Sequence, residues 1–192
     1  MESGKKTILA FVGMPGSGKS EAVFYLGKKD IPCVRFGKIT EDEAKIQGLP
    51  LTPENEQIIR EELRKEMGMG AYAVKAKPKI DEMLKKYDRI AIDGLYSWEE
   101  YTYLKKEFKG LIIIHIYSEP KIRYERLFKR KVRPFSFEQS YLRDVMEIER
   151  LNKDGPIAIA DYLIENNTDS ILDLRAKVDS LLKRLGIKIT ND

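Results

Sequence analysis

Residues 13–20 have the types and spacing needed to bind phosphate. They read G-M-P-G-S-G-K-S and match the pattern G-x-x-x-x-G-K-[S/T] of a phosphate-binding loop, the P-loop. Its glycines let the backbone curl so that successive N–H groups face one anion. An apolar run, residues 8–12, precedes the loop and a helical pattern follows it, which adds a helix N-terminus with its partial positive charge. The sequence therefore predicts a site for a nucleoside triphosphate.

Each position of the loop has an expected role. The residues predicted to hold the ATP phosphates are Gly13, Met14, Pro15, Gly16, Ser17, Gly18, Lys19 and Ser20. Lys19 is expected to reach the β- and γ-phosphates, and the Ser20 hydroxyl to ligate Mg²⁺. Asp93 ends another apolar run, and P-loop enzymes use a carboxylate at such a strand end to hold Mg²⁺. We predict ATP and Mg²⁺ as cofactors, although Asp-Gly is also a common turn.

A basic segment follows the apolar run 111–117. If residues 121–130 are helical, Arg123, Arg126 and Arg130 share one face. Positioned arginines stabilise the negative charge of a phosphoryl group during transfer. A charged run is also the ordinary pattern of a solvated face. We predict that Lys19 acts in catalysis with Arg126, Arg130 and Arg143, at least one of which contacts phosphate.

Strand-like and helix-like segments alternate along the chain, which indicates an α/β fold with a parallel sheet covered on both faces. The predicted strands are Thr7–Val12, Pro32–Phe36, Arg89–Ile92, Leu111–Tyr117 and Tyr162–Glu165. A helix is predicted after the P-loop. Another is predicted from Thr52 and Pro53 to about Met67, and a C-terminal one ends at Gly186.

Two stretches exceed what alternating strands and helices need. Residues 37–79 lie between the second and third predicted strands, and residues 129–156 between the fourth and fifth. We predict one domain with its core at 5–36, 88–128 and 157–186. The first insertion would bind the phosphoryl acceptor and the second would form a lid, because ligands bind at the carboxyl ends of such strands. Either insertion could instead be a surface hairpin that only packs.

Composition narrows the class of protein. The chain has 192 residues, 42% of them hydrophobic and 34% charged, which suits one globular domain without a membrane segment. A lone cysteine, Cys33, suits the reducing cytoplasm. The net charge of +4 gives no reason to expect nucleic acid as a partner. A small-molecule acceptor is expected, with the protein a monomer or a homodimer.

These motifs carry a family resemblance. The P-loop, Asp93-Gly94 and the E-R-L-x-x-R of residues 125–130 resemble adenylate kinase, while A-D-Y-L-I-E-N-N at 160–167 resembles dephospho-CoA kinases. Overall the chain resembles the adenylate-kinase-related, dephospho-CoA-kinase-like P-loop proteins of poorly defined function. The resemblance implies a three-layer fold of the nucleoside monophosphate kinase type. It also implies Arg126 beside the donor adenine, Arg130 beside the donor phosphates, and lid contributions from Arg143 and Arg150.

Two positions depart from the family pattern. Glu41 and Tyr96 stand where nucleoside monophosphate kinases and their relatives tend to have arginines. Either other cations bind an acceptor phosphate, or the acceptor presents a hydroxyl whose proton Glu41 or Asp42 accepts. Both acids also suit a solvated helix face. The predicted acceptor-binding residues are Gly37, Lys38, Glu41, Arg64, Lys75, Gly94 and Tyr96, with Arg35 as a further candidate cation.

Three functions follow from this pattern. The leading one is an ATP-dependent kinase of a nucleotide, nucleoside or CoA-precursor-like acceptor. The second is an AMP- or ATP-binding sensor without turnover, which the absent acceptor arginines favour. The third is a polynucleotide 5′-kinase, which would bind single strands with strong salt dependence.

Overall fold

Five parallel strands form the centre of the molecule in the computed structural model, which describes residues 6–187. They are β1 (Thr7–Val12), β2 (Cys33–Arg35), β3 (Arg89–Asp93), β4 (Leu111–Tyr117) and β5 (Tyr162–Glu165). Their order across the sheet is β2-β3-β1-β4-β5. The five predicted strands are confirmed to within one residue at either end, and so is the α/β class. Residue 5, the predicted start of the core, lies outside the described residues.

Helices cover both faces of this sheet. They are α1 (Lys19–Gly27), α2 (Gly37–Ile46), α3 (Pro53–Met67), α4 (Ala71–Lys86), α5 (Trp98–Glu107), α6 (Pro120–Phe128), α7 (Phe137–Leu151), α8 (Asp154–Ala158) and α9 (Ile171–Arg184). Within the described part of the chain, none of them is long and apolar enough to cross a membrane.

Strand β1 lies at the centre of the sheet and divides the core in two. Ile8, Ala10 and Val12 pack with α2 to α5 on one face. Leu9 and Phe11 pack with α1 and α9 on the other. All five side chains are buried, since successive residues of a strand point to opposite faces and helices cover both. This is the three-layer arrangement that the alternating pattern predicts.

The predicted helix ends at Thr52 and Gly186 are confirmed. The Thr52 hydroxyl accepts a hydrogen bond from the Asn55 N–H at 3.2 Å, and Pro53 is the first residue of α3. At the other end of the chain, α9 is followed by Gly186 with φ of 69°, the left-handed conformation in which helices often end.

One predicted helix is too long. Helix α6 ends at Phe128, so Arg130 lies in the following loop and the predicted face shared by Arg123, Arg126 and Arg130 is wrong for Arg130. The chain turns back at this point, because the N–H of Phe135 donates to the Leu127 carbonyl at 3.2 Å. Pro134 also disfavours the helical conformation of the residue before it.

Both insertions leave the carboxyl ends of strands, as predicted. Helices α2, α3 and α4 connect β2 to β3, while α6, α7 and α8 connect β4 to β5. Helix α4 continues to Lys86, beyond the predicted boundary at residue 79, because Ile80 and Met83 are buried against the sheet. The carboxyl ends of β1 and β3 therefore open between two helical segments.

Candidate functional site

The P-loop connects β1 to α1 and has a backbone that requires glycine. Gly13, Gly16 and Gly18 have φ angles of 144°, 80° and 103°, which side chains rarely allow. The space is also filled: a Cβ at Gly16 would lie 2.7 Å from the Arg123 carbonyl oxygen. At Gly18 a Cβ would instead meet the Asn166 side chain at 2.5 Å, so the loop has no room for side chains at these positions.

Ser20 and Asp93, the two residues predicted to ligate Mg²⁺, lie near each other at the carboxyl end of β3. Asp93 is the last residue of that strand, and the Ser20 side chain lies near enough to its carboxylate to lower the pKa of Asp93. Burial raises the pKa of Asp93, while the positive charges of Lys19 and Arg35 act in the opposite direction. A neighbouring hydroxyl and carboxylate are oxygen ligands of the kind that Mg²⁺ prefers.

This pair fits Mg²⁺ bound together with a nucleotide better than a metal held by protein alone. Among residues 6–187, no cluster of three or more His, Cys, Asp or Glu side chains could hold a metal ion. Mg²⁺ in phosphate-transferring enzymes commonly takes only one or two protein ligands and completes its shell with phosphates and water.

The Lys19 ammonium lies within the P-loop. It donates to the Met14 carbonyl oxygen at 3.0 Å. Burial, together with the positive charge of Lys153, lowers the pKa of Lys19 to about 7, against the effect of Glu147 and Asp93. An ammonium whose charge these two carboxylates compensate only in part is poised to bind phosphate.

The contacts of Arg123 indicate a structural role. It is buried, and its guanidinium forms two hydrogen bonds to the Asp144 carboxylate, at 3.0 and 2.6 Å. It also donates to the carbonyls of Ser118 and Pro15, both at 3.1 Å. Arg123 thus joins α6, α7 and the P-loop, and its donors are used by protein groups.

Arg126 joins the P-loop to the segment before α9. It donates to the Thr168 carbonyl at 2.6 Å, the Ser118 hydroxyl at 3.0 Å and the Gly16 carbonyl at 3.4 Å. It also lines a cavity of about 260 Å³ at the start of α9, together with Gly18, Glu21, Asn166, Thr168, Asp169, Ser170, Ile171 and Leu174. This is a concave, partly apolar site directly beside the phosphate loop.

Arg130 and Arg143 converge on one aromatic ring. Their guanidinium carbons lie 5.6 and 5.3 Å from the centroid of Phe135. Arg130 donates to the carbonyls of Val132 and Arg133, both at 2.7 Å, and Arg143 to Glu147 at 3.1 Å. In this structure both guanidinium groups are bound to lid groups, and their catalytic role stays a prediction.

Lys153 is a site residue that sequence reasoning missed. It follows α7, is only 1% exposed, and its ammonium pairs with Glu147. The ammonium lies 4.7 Å from the centroid of the Tyr96 ring and acts electrostatically on Lys19 and Asp93. The sequence offers no pattern that separates this lysine from the exposed ones, because its burial depends on the fold.

The predicted cations near α2 are matched with acids. Lys38 and Arg35 both pair with Glu41, at 3.5 and 3.3 Å, and Lys75 pairs with Glu43. Glu41 therefore lies in a network of surface ion pairs, which favours the solvated-face interpretation over a role as proton acceptor.

Arg64 is different from these cations. Its guanidinium carbon lies 5.3 Å from the centroid of the Tyr72 ring, and its buried Nε has no hydrogen-bond partner among the described residues. The Tyr72 hydroxyl shares a 2.7 Å hydrogen bond with the buried Thr40 side chain. Helices α2, α3 and α4 thus contribute to one polar cluster inside the first insertion.

Two further predicted acceptor residues, Gly37 and Gly94, lie at element ends, and the third, Tyr96, lies in the loop between β3 and α5. Gly37 is the first residue of α2, and Gly94, with φ of 102°, directly follows β3. A Cβ at Gly94 would lie 3.1 Å from the Phe36 Cβ and 3.4 Å from the Tyr96 ring. Gly94 therefore lets the chain pass between these two aromatic side chains.

Glu100 is buried below Tyr96 and was not singled out from the sequence. Its carboxylate accepts hydrogen bonds from the N–H groups of Tyr96 and Ser97, at 2.7 and 3.2 Å, and so caps α5. The sequence did contain a signal for this capping role, since Ser97 and Glu100 form the S-x-x-E pattern of a capping box. Burial raises the pKa of Glu100 to about 7, against the effect of the two N–H groups.

This raised pKa predicts a pH-dependent stability. Glu100 retains its proton in the folded protein to about pH 7, whereas the unfolded chain loses it near pH 4.5. Stability should therefore fall as pH rises through this window, by up to about 3 kcal/mol. In Glu100→Gln this component should be absent, as urea unfolding at pH 5 and pH 8 would measure. Glu61→Gln, at an exposed position of α3, is the control; equal pH profiles for all three proteins would contradict the prediction.

Comparison with known proteins agrees with this geometry. The family described as AAA domain matches residues 9–142. The chain is 40% identical over 185 residues to a UPF0200 protein of Thermococcus sibiricus, with 94% of this chain and 96% of the relative covered.

Two solved structures share the architecture. Shikimate kinase from Bacteroides thetaiotaomicron has a TM-score of 0.60 at 12% identity, covering 94% of this chain and 98% of its own. Dephospho-CoA kinase from Campylobacter jejuni has a TM-score of 0.55 at 15% identity, covering 94% and 97%. At these identities the likeness shows the fold alone, which is that of P-loop kinases.

Proposed function

This chain belongs to the UPF0200 family, with an AAA domain, and we propose that it is an ATP-dependent kinase of a small molecule. One observation carries the proposal. Lys19, Ser20 and Asp93 meet at the carboxyl edge of the sheet, where the helical insertion after β2 and the lid both begin or end. Phosphoryl transfer needs this combination, because its catalysis is mainly positioning and electrostatic stabilisation.

The donor half of the site would bind ATP. Residues 13–20 would hold the phosphates through backbone N–H groups and Lys19, and Ser20 with Asp93 would hold Mg²⁺. When bound, Mg²⁺ supplies positive charge to the β- and γ-phosphate oxygens. The cavity beside Arg126 would take the adenine, since a guanidinium fixed by three hydrogen bonds offers a flat surface for stacking.

The acceptor half would lie between the first insertion and the end of β3. We assign the recognition of an anionic group of the acceptor to Arg64, because Lys38, Arg35 and Lys75 are paired with acids of α2. A nucleotide or a CoA precursor carries such a group. The acceptor would therefore be a small molecule that carries an anionic group, and neither a membrane nor nucleic acid would be required as a partner.

The first experiment is a search for the acceptor. Thermal-shift measurements with nucleotides, nucleosides and CoA precursors, in the presence of Mg²⁺ and a non-hydrolysable ATP analogue, should raise the melting temperature for the true acceptor. ATP consumption with each hit then tests turnover. A protein that consumes no ATP with any of these compounds is not a kinase of this class.

Arg64→Ala tests the acceptor site. We expect KM for the acceptor to rise by roughly 10- to 100-fold, the effect of losing one charge-assisted hydrogen bond, with KM for ATP unchanged. Arg60→Ala is the matched control: Arg60 lies one turn earlier on α3 and pairs with Glu56 at 3.5 Å. An unchanged acceptor KM, or an equal rise for ATP, would place the acceptor elsewhere.

A nucleotide sensor is the competing function, favoured by the ion pairs that engage the acceptor-side cations in this structure. Calorimetry separates the two. A bisubstrate analogue that joins ATP to the acceptor should bind a kinase far more tightly than either half. A sensor would bind one mononucleotide and transfer nothing.

A further inference from the structure

Lys153 and Glu147 form a buried ion pair at the base of the lid. The Lys153 side chain is 1% exposed and that of Glu147 is 9% exposed. Glu147 also accepts a hydrogen bond from Arg143 at 3.1 Å. One carboxylate thus holds two lid cations, and this small network lies beside the P-loop rather than on the outer surface of the lid.

The position of Lys153 relative to the phosphate site is the decisive observation. Its ammonium lies 4.7 Å from the centroid of the Tyr96 ring, and a Cβ at Gly94, the residue directly after Asp93, would lie 3.4 Å from that ring. In agreement with this position, its charge acts on Lys19 and on Asp93. The ammonium groups of Lys19 and Lys153 repel each other in this buried site, and Glu147 acts on Lys19 in the opposite direction with a smaller effect. An anion bound between the two ammonium groups would relieve this repulsion, and the terminal phosphate of ATP is such an anion.

The contacts of Lys153 leave it able to bind a ligand. An ammonium has three N–H donors, and Glu147 accepts from one side. On another side lies the Tyr96 ring, 4.7 Å from the ammonium to the centroid. Burial raises the pKa of the Tyr96 hydroxyl, so the ring holds the ammonium through its π face and brings no competing negative charge.

We propose that Lys153 is a second phosphate-binding lysine, which contacts the terminal phosphoryl group of ATP opposite Lys19, with Glu147 holding it in place before the nucleotide binds. The inference rests on the proposed function for the site itself. A purely structural ion pair would stabilise the lid but would not distinguish ATP from ADP. Lys153 as proposed contacts only the phosphate that ADP lacks.

The test measures binding rather than turnover. Dissociation constants for ADP and for a non-hydrolysable ATP analogue, both with Mg²⁺, are compared in the wild type and in Lys153→Met, which keeps the length of the side chain. We expect affinity for the ATP analogue to fall by roughly 10- to 100-fold and affinity for ADP to change little. Lys153→Arg should restore most of the loss. Lys131→Met, at an exposed lid lysine, should have no effect.

A second variant covers the case in which Lys153→Met folds poorly because Glu147 is left buried without its partner. Lys153→Met combined with Glu147→Gln removes both charges and should show the same loss of preference for the ATP analogue. If the ratio of the two dissociation constants equals that of the wild type in whichever variant folds, the proposal is wrong. Because no acceptor is present, this result is independent of whether the protein transfers phosphate.

Discussion

Lys19→Ala is expected to lower the rate of phosphoryl transfer by roughly a thousandfold or more, without loss of the fold. The ammonium donates only to the Met14 carbonyl among its described hydrogen bonds, and its main interactions are with charges of the site. Its lowered pKa, about 7 against 10.5 in the unfolded chain, means that its charge destabilises the ligand-free protein. This destabilisation of the ligand-free fold is fully present below about pH 7 and disappears as pH rises toward 10.5. The variant should therefore be at least as stable at neutral pH.

Initial rates with the acceptor found by thermal shift, together with the melting temperature of the apo protein, measure both parts of this prediction. Lys28→Ala is the control, because Lys28 follows α1 and its ammonium lies over the exposed ring of Phe24, at 5.0 Å. A Lys19→Ala variant that keeps a tenth or more of the activity would show that the loop lysine does not act on the transferred group. A fall of several degrees in melting temperature would instead assign Lys19 a structural role.

Local patterns made the centre of the fold predictable. Buried parallel strands are continuous apolar runs, so β1 and β4 could be located from their residues alone. The loop between β1 and α1 was equally accessible, because its glycines are required by the backbone angles within the loop itself. The proximity of the P-loop to Asp93 also followed, since the carboxyl ends of neighbouring parallel strands meet at one edge.

Roles that depend on packing between distant segments were not predictable. Arg123 and Arg126 have the same residue type and lie one turn apart, yet one is buried against Asp144 and the other lines the cavity beside the P-loop. Lys153 becomes a site residue only because the chain after α7 returns to Tyr96. A charged run specifies a helix face, but it does not specify which element will cover that face.

Asp144→Ala is expected to have the largest effect on stability, a loss of about 3–5 kcal/mol in the free energy of unfolding. Asp144 accepts both guanidinium hydrogen bonds of Arg123 and a third, at 3.0 Å, from the Tyr124 hydroxyl. Removing it leaves Arg123 buried with an uncompensated charge. Because Arg123 also donates to the Pro15 carbonyl in the P-loop, affinity for ATP should fall together with stability.

Urea unfolding of three proteins separates the buried charge from the loss of packing. Glu82→Ala removes a carboxylate that pairs with two exposed lysines of α4, and it should lower the free energy of unfolding far less than Asp144→Ala does. Arg123→Met combined with Asp144→Leu removes both buried charges and should recover much of the stability lost in Asp144→Ala, because the main cost there is the unpaired guanidinium. ATP affinity should stay low in that double variant, since it has no Arg123 to donate to the Pro15 carbonyl. If Asp144→Ala instead costs no more than Glu82→Ala, the lid is not fixed to the phosphate loop through Arg123, and the anchoring of α7 must come from its other contacts.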